Sequence, residues 1–162
     1  MTTLPAVRRS EPSVDREIEL GVASSLVLKA FFDPAALAAW WQAERSVTTP
    51  RALGPYVVEW AATEARDDRL GRLGGVLRGT VMQASPIDGF FVADVFWLPP
   101  DGDPIGPMAL EVTFSPAGER TGTRVRVRQH GFEEGPRWRR YYEVADIAWQ
   151  RGLDALQRLL EP

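Results

Sequence analysis

The sequence predicts an α+β domain: a curved antiparallel sheet of about six strands wrapped around one long C-terminal helix, with two short helices after the first strand. Three observations lead there. Five runs of strand-like character follow one another between residues 54 and 131, separated only by turn-rich pieces. Short turns between successive strands join them as an antiparallel meander. Near the C-terminus an apolar stripe, Trp138, Tyr142, Ala145, Trp149, Gly152, Leu156 and Leu159, steps by threes and fours, as one face of a helix does. A helix bearing that stripe is roughly 35 Å long at about 1.5 Å per residue. It needs a large apolar surface to lie on, and a bent sheet supplies it.

The elements read in order as follows. Residues 1–15, MTTLPAVRRSEPSVD, are polar and proline-punctuated and are expected to form a flexible tail. That leaves 16–162 as a single domain, a length that buries a real core. REIELGV (16–22) alternates apolar and charged residues, the pattern of a half-buried strand. In SSLVLKAFFDPAALAAWW (24–41) the period changes. Ser24 or Ser25 is placed to cap a short helix, and Asp33-Pro34 ends it and starts a second. GPYVVEW (54–60) puts Tyr56, Val58 and Trp60 on one side. GGVLRGTVMQASP (74–86), GFFVADVFWLP (89–99), MALEVTFSP (108–116) and TGTRVRVRQHG (121–131) complete the meander. Pro136 opens the final helix, read from about Arg137 to Leu160.

Composition removes several function classes. Hydrophobic content of 44% with 25% charged residues is that of a soluble globular domain. No apolar run reaches transmembrane length, and the N-terminus lacks the apolar core of a signal peptide, so the expected location is the cytoplasm. The net charge of −3, with no basic tract, argues against nucleic-acid binding. Cysteine is absent and His130 is the sole histidine. That excludes disulfides and thiolate chemistry and leaves zinc without its usual ligands. No carboxylate-rich loop offers a harder cation a site. No Ser-His-Asp spacing, glycine-rich phosphate loop or paired carboxylates stand out. The sequence therefore nominates no catalytic residue, no metal and no cofactor.

Strand alternation assigns faces. Val125, Val127 and Gln129 share one side of the last strand; Arg124, Arg126 and Arg128 share the other and must face water, because three buried unpaired guanidinium groups would be prohibitively costly. Leu110, Val112 and Phe114 point inward. In the run 90–97, Phe91, Ala93, Val95 and Trp97 form a wholly apolar set and are assigned inward. The alternative set, Phe90, Val92, Asp94 and Phe96, would carry Asp94 inside. Glu59 and Asp94 are expected on the solvent face, paired with cross-strand arginines. Arg137, Arg139 and Arg140 crowd the start of the last helix, where positive charge opposes the dipole. Glu133, Glu134 and Glu143 stand near enough to offset them. The same arginines could instead form an anion-attracting rim.

Four stretches together resemble a known family: DPAALAAWW after the first strand, GTVMQASP, TGTRVRVRQHGF and the tryptophan-bearing WRRYYEVADIAWQRGLDALQRLLE. They are similar to the helix-grip fold of the START and birch-pollen-allergen superfamily, often called SRPBCC, and within it to the branch named for the activator of heat-shock-protein-90 ATPase. The resemblance covers about residues 15–161. It implies a deep cavity between the gripped helix and the concave sheet, able to hold a lipid, a polyketide or an aromatic-like molecule. It leaves open a polyketide cyclase or aromatase activity, in which Asp94, Tyr142, Gln129 or Arg137 would guide proton transfers. It also leaves open a co-chaperone-like contact, although the chain is read as one short domain, with no second domain expected to hold a client. Fold alone does not decide among these.

Under the binding reading, the expected cavity lining is Trp41, Tyr56, Trp60, Phe91, Val95, Trp97, Phe114, Trp138, Tyr142 and Trp149. Large rings with a polar handle suit such a wall. Edge strands of the sheet could also pair between subunits as a homodimer. His130 shares the arginine side of its strand and stands where the sheet hands over to the helix. It reads as a strand-end residue rather than a catalytic base.

Overall fold

The computed structural model describes residues 12–118 and 122–162. The chain runs β1 (Val14–Leu20), α1 (Ser24–Phe32), α2 (Pro34–Trp41), β2 (Arg45–Thr48), β3 (Pro55–Trp60), β4 (Arg66–Asp67), β5 (Gly71–Arg72), β6 (Gly75–Ser85), β7 (Gly89–Leu98), β8 (Ile105–Ala117), β9 (Gly122–His130) and α3 (Pro136–Leu160). The main sheet has seven strands in the order β1-β9-β8-β7-β6-β3-β2, and β4 and β5 form a separate two-stranded hairpin. Every pairing is antiparallel. This is the α+β helix-grip arrangement. The first eleven residues of the expected tail lie outside the described residues, and β1 begins at Val14 rather than Arg16.

The long helix lies on the inner face of the sheet. Tyr141, Ala145, Trp149, Gly152, Leu153 and Leu156 are its buried residues. The predicted stripe is thus displaced at its ends. Tyr141 rather than Tyr142 enters the core, and Leu159 is exposed. At Gly152 a Cβ would sit 3.4–3.5 Å from the rings of Trp40 and Trp41, an ordinary contact distance, so α3 packs against α2 here with space for no more than a methyl group. The middle of the helix is pinned from β1, where Arg16 grips Asp146 through two hydrogen bonds of 2.8 and 2.9 Å.

On β9 the face assignment holds. Val125, Val127 and Gln129 are buried, while Arg124 and Arg126 form ion pairs with Glu17, Glu19 and Asp15 of β1 on the outer face. Leu110, Val112 and Phe114 are buried as expected. On β7 neither proposed alternation survives. Phe90 and Val92 are buried in the first half, then Val95 and Trp97 in the second. The phase flips because the register breaks between Val92 and Val95, with Asp94 in the left-handed region at φ 51°. An inserted residue of this kind moves every following side chain to the opposite face. Phe91 and Ala93 therefore leave the core, and Asp94 is exposed.

Smaller departures have local causes. Neither Ser24 nor Ser25 caps α1. Ala23 is its N-cap and no side chain accepts a bond there. Asp33 does cap α2, accepting the Ala36 N–H at 3.0 Å. β2 was not anticipated, because RSVT is too short and polar to show alternation. Glu59 pairs with Arg45 of β2 at 2.8 Å, which is the cross-strand role expected of it.

Candidate functional site

The structure divides the ten candidate lining residues among three environments. Tyr56, Val95, Trp97, Phe114 and Trp149 are buried in the core. Their polar handles are spent internally. The Tyr56 hydroxyl donates to the Phe31 carbonyl at 3.0 Å, and the Trp97 indole donates to the Gly74 carbonyl at 2.8 Å. Trp41 and Trp60 join Trp149 in a ring cluster, with Trp41 4.8 Å from Trp149 and 5.0 Å from Trp60 between centroids. The Trp60 N–H donates to the Trp41 carbonyl. At these positions the space assigned to a cavity is packed with the rings themselves, which stabilise the core by contact and burial. Phe91 is on the other face, as described above.

The remaining two candidates, Trp138 and Tyr142, come together at the surface. They line an open cleft of about 680 Å³ at the N-terminal end of α3, with Pro12, Phe132, Glu133, Glu134, Gly135, Arg139 and Glu143. Phe132 is its buried floor. Its ring meets Trp138 edge-on at 6.1 Å and Tyr142 edge-on at 5.3 Å. The placement follows from local sequence. Gly131, at φ 98°, turns the chain out of β9, and Pro136 starts α3 four residues after Phe132. Residues 138 and 142 are one helical turn apart and so present their rings on the same side.

A second recess of about 330 Å³ adjoins it, lined by Arg69, Gly135, Pro136, Arg139, Arg140 and Glu143. Gly135, Arg139 and Glu143 belong to both. The crowding of positive charge at this helix start is offset both across the fold and along the helix. Arg140 Nε donates to Asp67 at 2.6 Å, and its Nη1 donates to Glu143 at 3.0 Å. Arg137 donates to the Asp103 carbonyl. Glu143 therefore serves Arg140, not Arg139.

The hairpin β4–β5 walls this end of the molecule. Leu70 at its tip is buried. Burial raises the Asp67 pKa, but the hydrogen bonds from Arg140 and from the backbone N–H groups of Arg69 and Leu70 outweigh it, leaving Asp67 below the ordinary carboxylate range. Asp101 receives Arg72 at 2.9 Å and stands 3.6 Å from Arg66. The Arg72 hydrogen bond brings its pKa down to about 2. These carboxylates are ionised and structural.

The polar groups named for an enzymatic reading do not converge. Gln129 is enclosed in the core, where it donates to Tyr141 Oη at 3.1 Å and accepts from Trp149 at 2.8 Å. Burial pushes the Tyr141 phenol up to about 12, against the opposing pull of Gln129. Asp94 sits exposed on the β7 bulge, and Arg137 is held by Asp103. Tyr142 alone reaches the cleft. His130 is at the strand end, its Nε2 4.0 Å from Glu111 Oε2 on the outer face. Among the described residues no cluster of His, Asp and Glu could hold a metal, and no helix is long and apolar enough to cross a membrane.

Sequence reasoning named two of the cleft residues, Trp138 and Tyr142, as lining candidates; it named Arg139 with Arg137 and Arg140 as crowded charge or an anion-attracting rim, and Glu133, Glu134 and Glu143 as the charges that offset them. It did not nominate Phe132, although the HGF string in which it lies was singled out. It missed Arg69, which came from a turn-rich piece without periodic signal.

The family model described as Activator of Hsp90 ATPase homolog 1-like protein matches residues 22–161. No curated protein sequence matches the chain. Among solved structures, a protein from Mesorhizobium loti superposes with a TM-score of 0.67 at 22% identity, covering 93% of this chain and 97% of that one. A protein from Chromobacterium violaceum gives 0.66 at 22% identity, covering 93% and 98%. An Aha1 from Colwellia psychrerythraea, described as a dimer in solution, gives 0.60 at 14% identity, covering 93% and 96%. At these identities the structural likeness speaks for the fold.

Proposed function

The chain belongs to the activator of Hsp90 ATPase homolog 1-like family, and from that premise we propose that it is a binding domain for a small, largely apolar molecule held in the cleft at the N-terminal end of α3. The observation that carries this reading is the cleft of about 680 Å³ with Phe132, Trp138 and Tyr142 in its wall. Its size falls within the roughly 300–1,000 Å³ typical of small-molecule sites. Flat rings give contact area to a lipid chain, a polyketide or an aromatic molecule, and the charged rim orients any polar end. The reading moves the ligand from the middle of the sheet–helix interface, where the rings pack on one another, to the end of that interface, where they open to solvent.

The test uses the full chain and two probes, a twelve-carbon fatty acid and 8-anilinonaphthalene-1-sulfonate. Binding should move the indole N–H resonance of Trp138 in a nitrogen-15 spectrum and leave that of Trp149 in place. Trp138→Ala should weaken binding by about tenfold, the equivalent of roughly 1.4 kcal/mol. The reading fails if neither probe binds up to its solubility limit, or if binding leaves the Trp138 resonance unmoved.

An assembly reading has one specific observation behind it. β2 is an edge strand of the main sheet, with Val47 exposed, and such an edge can pair with a second copy. A homodimer, as described for the Colwellia relative, would give twice the chain mass by light scattering. A monomer mass at all concentrations would remove this reading.

A further inference from the structure

The smaller recess beside the aromatic cleft carries positive charge that the fold does not consume. Arg69, Arg139 and Arg140 line it, together with Glu143. One carboxylate sets this arrangement. Asp67 Oδ2 accepts the backbone N–H groups of Arg69 and Leu70 at 3.0 Å each, and Oδ1 accepts the Arg140 guanidinium at 2.6 Å. Asp67 thereby ties the β4–β5 turn to the start of α3 and brings Arg69 to the same recess as Arg139. Arg140 is neutralised by Asp67 and Glu143. Arg69 and Arg139 are exposed and make no ion pair among the described residues. Two like charges thus share one concave space, and Arg139 also opposes the dipole of α3. An anion between them relieves both, and the planar fork of a guanidinium suits a carboxylate, sulfate or phosphate.

The neighbouring cleft has the opposite character. Its wall holds the rings of Phe132, Trp138 and Tyr142, and Glu133 and Glu134 stand on its rim. Those two glutamates do not line the recess, and they repel an anion from the aromatic side. Gly135, Arg139 and Glu143 belong to both walls, so the two spaces meet at Arg139. A molecule lying across that boundary has one favourable orientation, with its apolar body on the rings and its negative end toward Arg69. A few placed polar groups beside an apolar wall are what fixes orientation in small-molecule sites.

We infer that the two spaces together select an amphipathic anion: an acyl chain or aromatic body in the cleft, and a carboxylate, sulfate or phosphate head between Arg69 and Arg139 in the recess. The inference rests on the binding reading above and names the class of molecule that reading leaves open. It makes Arg69 and Arg139 the residues that set specificity, with Asp67 as a positioning residue behind Arg69. Neutral molecules of the same body are held by the rings alone.

The experiment compares decanoate, decan-1-ol and inorganic phosphate on the full chain at low salt, at a pH where decanoate is ionised and below its micelle concentration. The variants are Arg69→Gln, Arg139→Gln, the two combined, and Trp138→Ala. Decanoate should bind about tenfold more tightly than decan-1-ol, although the alcohol is the less soluble in water. Each single arginine variant should weaken decanoate by about threefold, the worth of one exposed ion contact, and leave decan-1-ol unchanged. Trp138→Ala should weaken both alike, and added salt should narrow the gap between them. Equal affinity for the two, with the Trp138 resonance moved by both, overturns the inference and leaves the binding reading standing. So does a preference for decanoate that survives the double arginine variant, or a parallel loss of both probes in the arginine variants. Phosphate that binds as tightly as decanoate without moving Trp138 would make the recess a separate site for free anions, and overturns the joined site. If neither ten-carbon probe binds, the binding reading falls and the inference falls with it.

Discussion

The indole N–H of Trp149 donates to Oε1 of Gln129 at 2.8 Å, tying the middle of α3 to the far end of β9. The same amide donates from Nε2 to Tyr141 Oη at 3.1 Å, so one buried side chain holds two successive regions of the helix. In a buried site each of these groups is costly to leave without a partner. Gln129→Leu keeps the approximate volume and removes both bonds. It should destabilise the protein by about 2–6 kcal/mol, taking roughly 1–3 kcal/mol for each of the two groups left unsatisfied. Urea unfolding measures this, and a loss below about 0.5 kcal/mol would mean that packing, not the amide, sets the position of α3.

Two glycines should respond in opposite senses to alanine. At Gly79 a Cβ would stand 2.6 Å from Val92 Cγ1 and 2.9 Å from the Ala93 carbonyl oxygen, so Gly79→Ala forces the sheet apart next to the β7 bulge. Overpacking of this kind costs about 1–3 kcal/mol. At Gly152 the nearest ring atoms are at ordinary contact distance, and alanine removes the helix penalty of glycine, about 0.5–1 kcal/mol. Gly152→Ala should therefore be neutral or stabilising. Melting temperatures of the pair, measured side by side, check the contrast.

Acid should loosen the β4–β5 hairpin. Both Asp67 and Asp101 are held below the usual carboxylate range in the folded protein. An aspartate of ordinary pKa near 3.9 binds its proton first in the unfolded chain. The stabilisation is therefore complete above about pH 4 and is lost as pH falls toward 2. Amide exchange in residues 63–74 should accelerate over that window. Asp67→Asn with Asp101→Asn should flatten the response. An unchanged profile in the double variant would show that other groups hold the hairpin.

His130→Ala should change stability by no more than about 0.5 kcal/mol, the usual range for a surface position, and should leave probe binding intact. The side chain is 40% exposed on the outer face and is not among the residues that line the cleft. A folded variant that no longer binds either probe would return His130 to the functional site.

What the sequence disclosed depended on whether a residue's environment is set by its neighbours in the chain. The arginine and valine sides of β9 were legible because strict alternation runs unbroken from Arg124 to Gln129. β7 was not, because one residue, Asp94, adopts a left-handed conformation that no local pattern announces. Adjacent Tyr141 and Tyr142 show the same limit on a helix: they lie about 100° apart, and Tyr141 is the one buried because it stacks on Trp97 and bonds Gln129, residues of distant strands. At the site, Trp138 and Tyr142 were legible as large rings on a helical stripe. That Tyr56, Trp97 and Trp149 would fill the interior instead of lining it depends on distances between elements far apart in sequence.

Apart from Pro12, every residue of the aromatic cleft comes from the stretch 132–143. Only Phe132 and Tyr141 of that stretch are buried in the core. Under the proposed binding reading, recognition would be written in this one short passage of the chain, which Arg137, Arg140 and Tyr141 tie to Asp103, Asp67 and Gln129 of the surrounding fold. On that reading selectivity could drift at the cleft-lining residues Glu133, Glu134, Trp138 and Tyr142, while the anchoring residues of the same passage stay fixed.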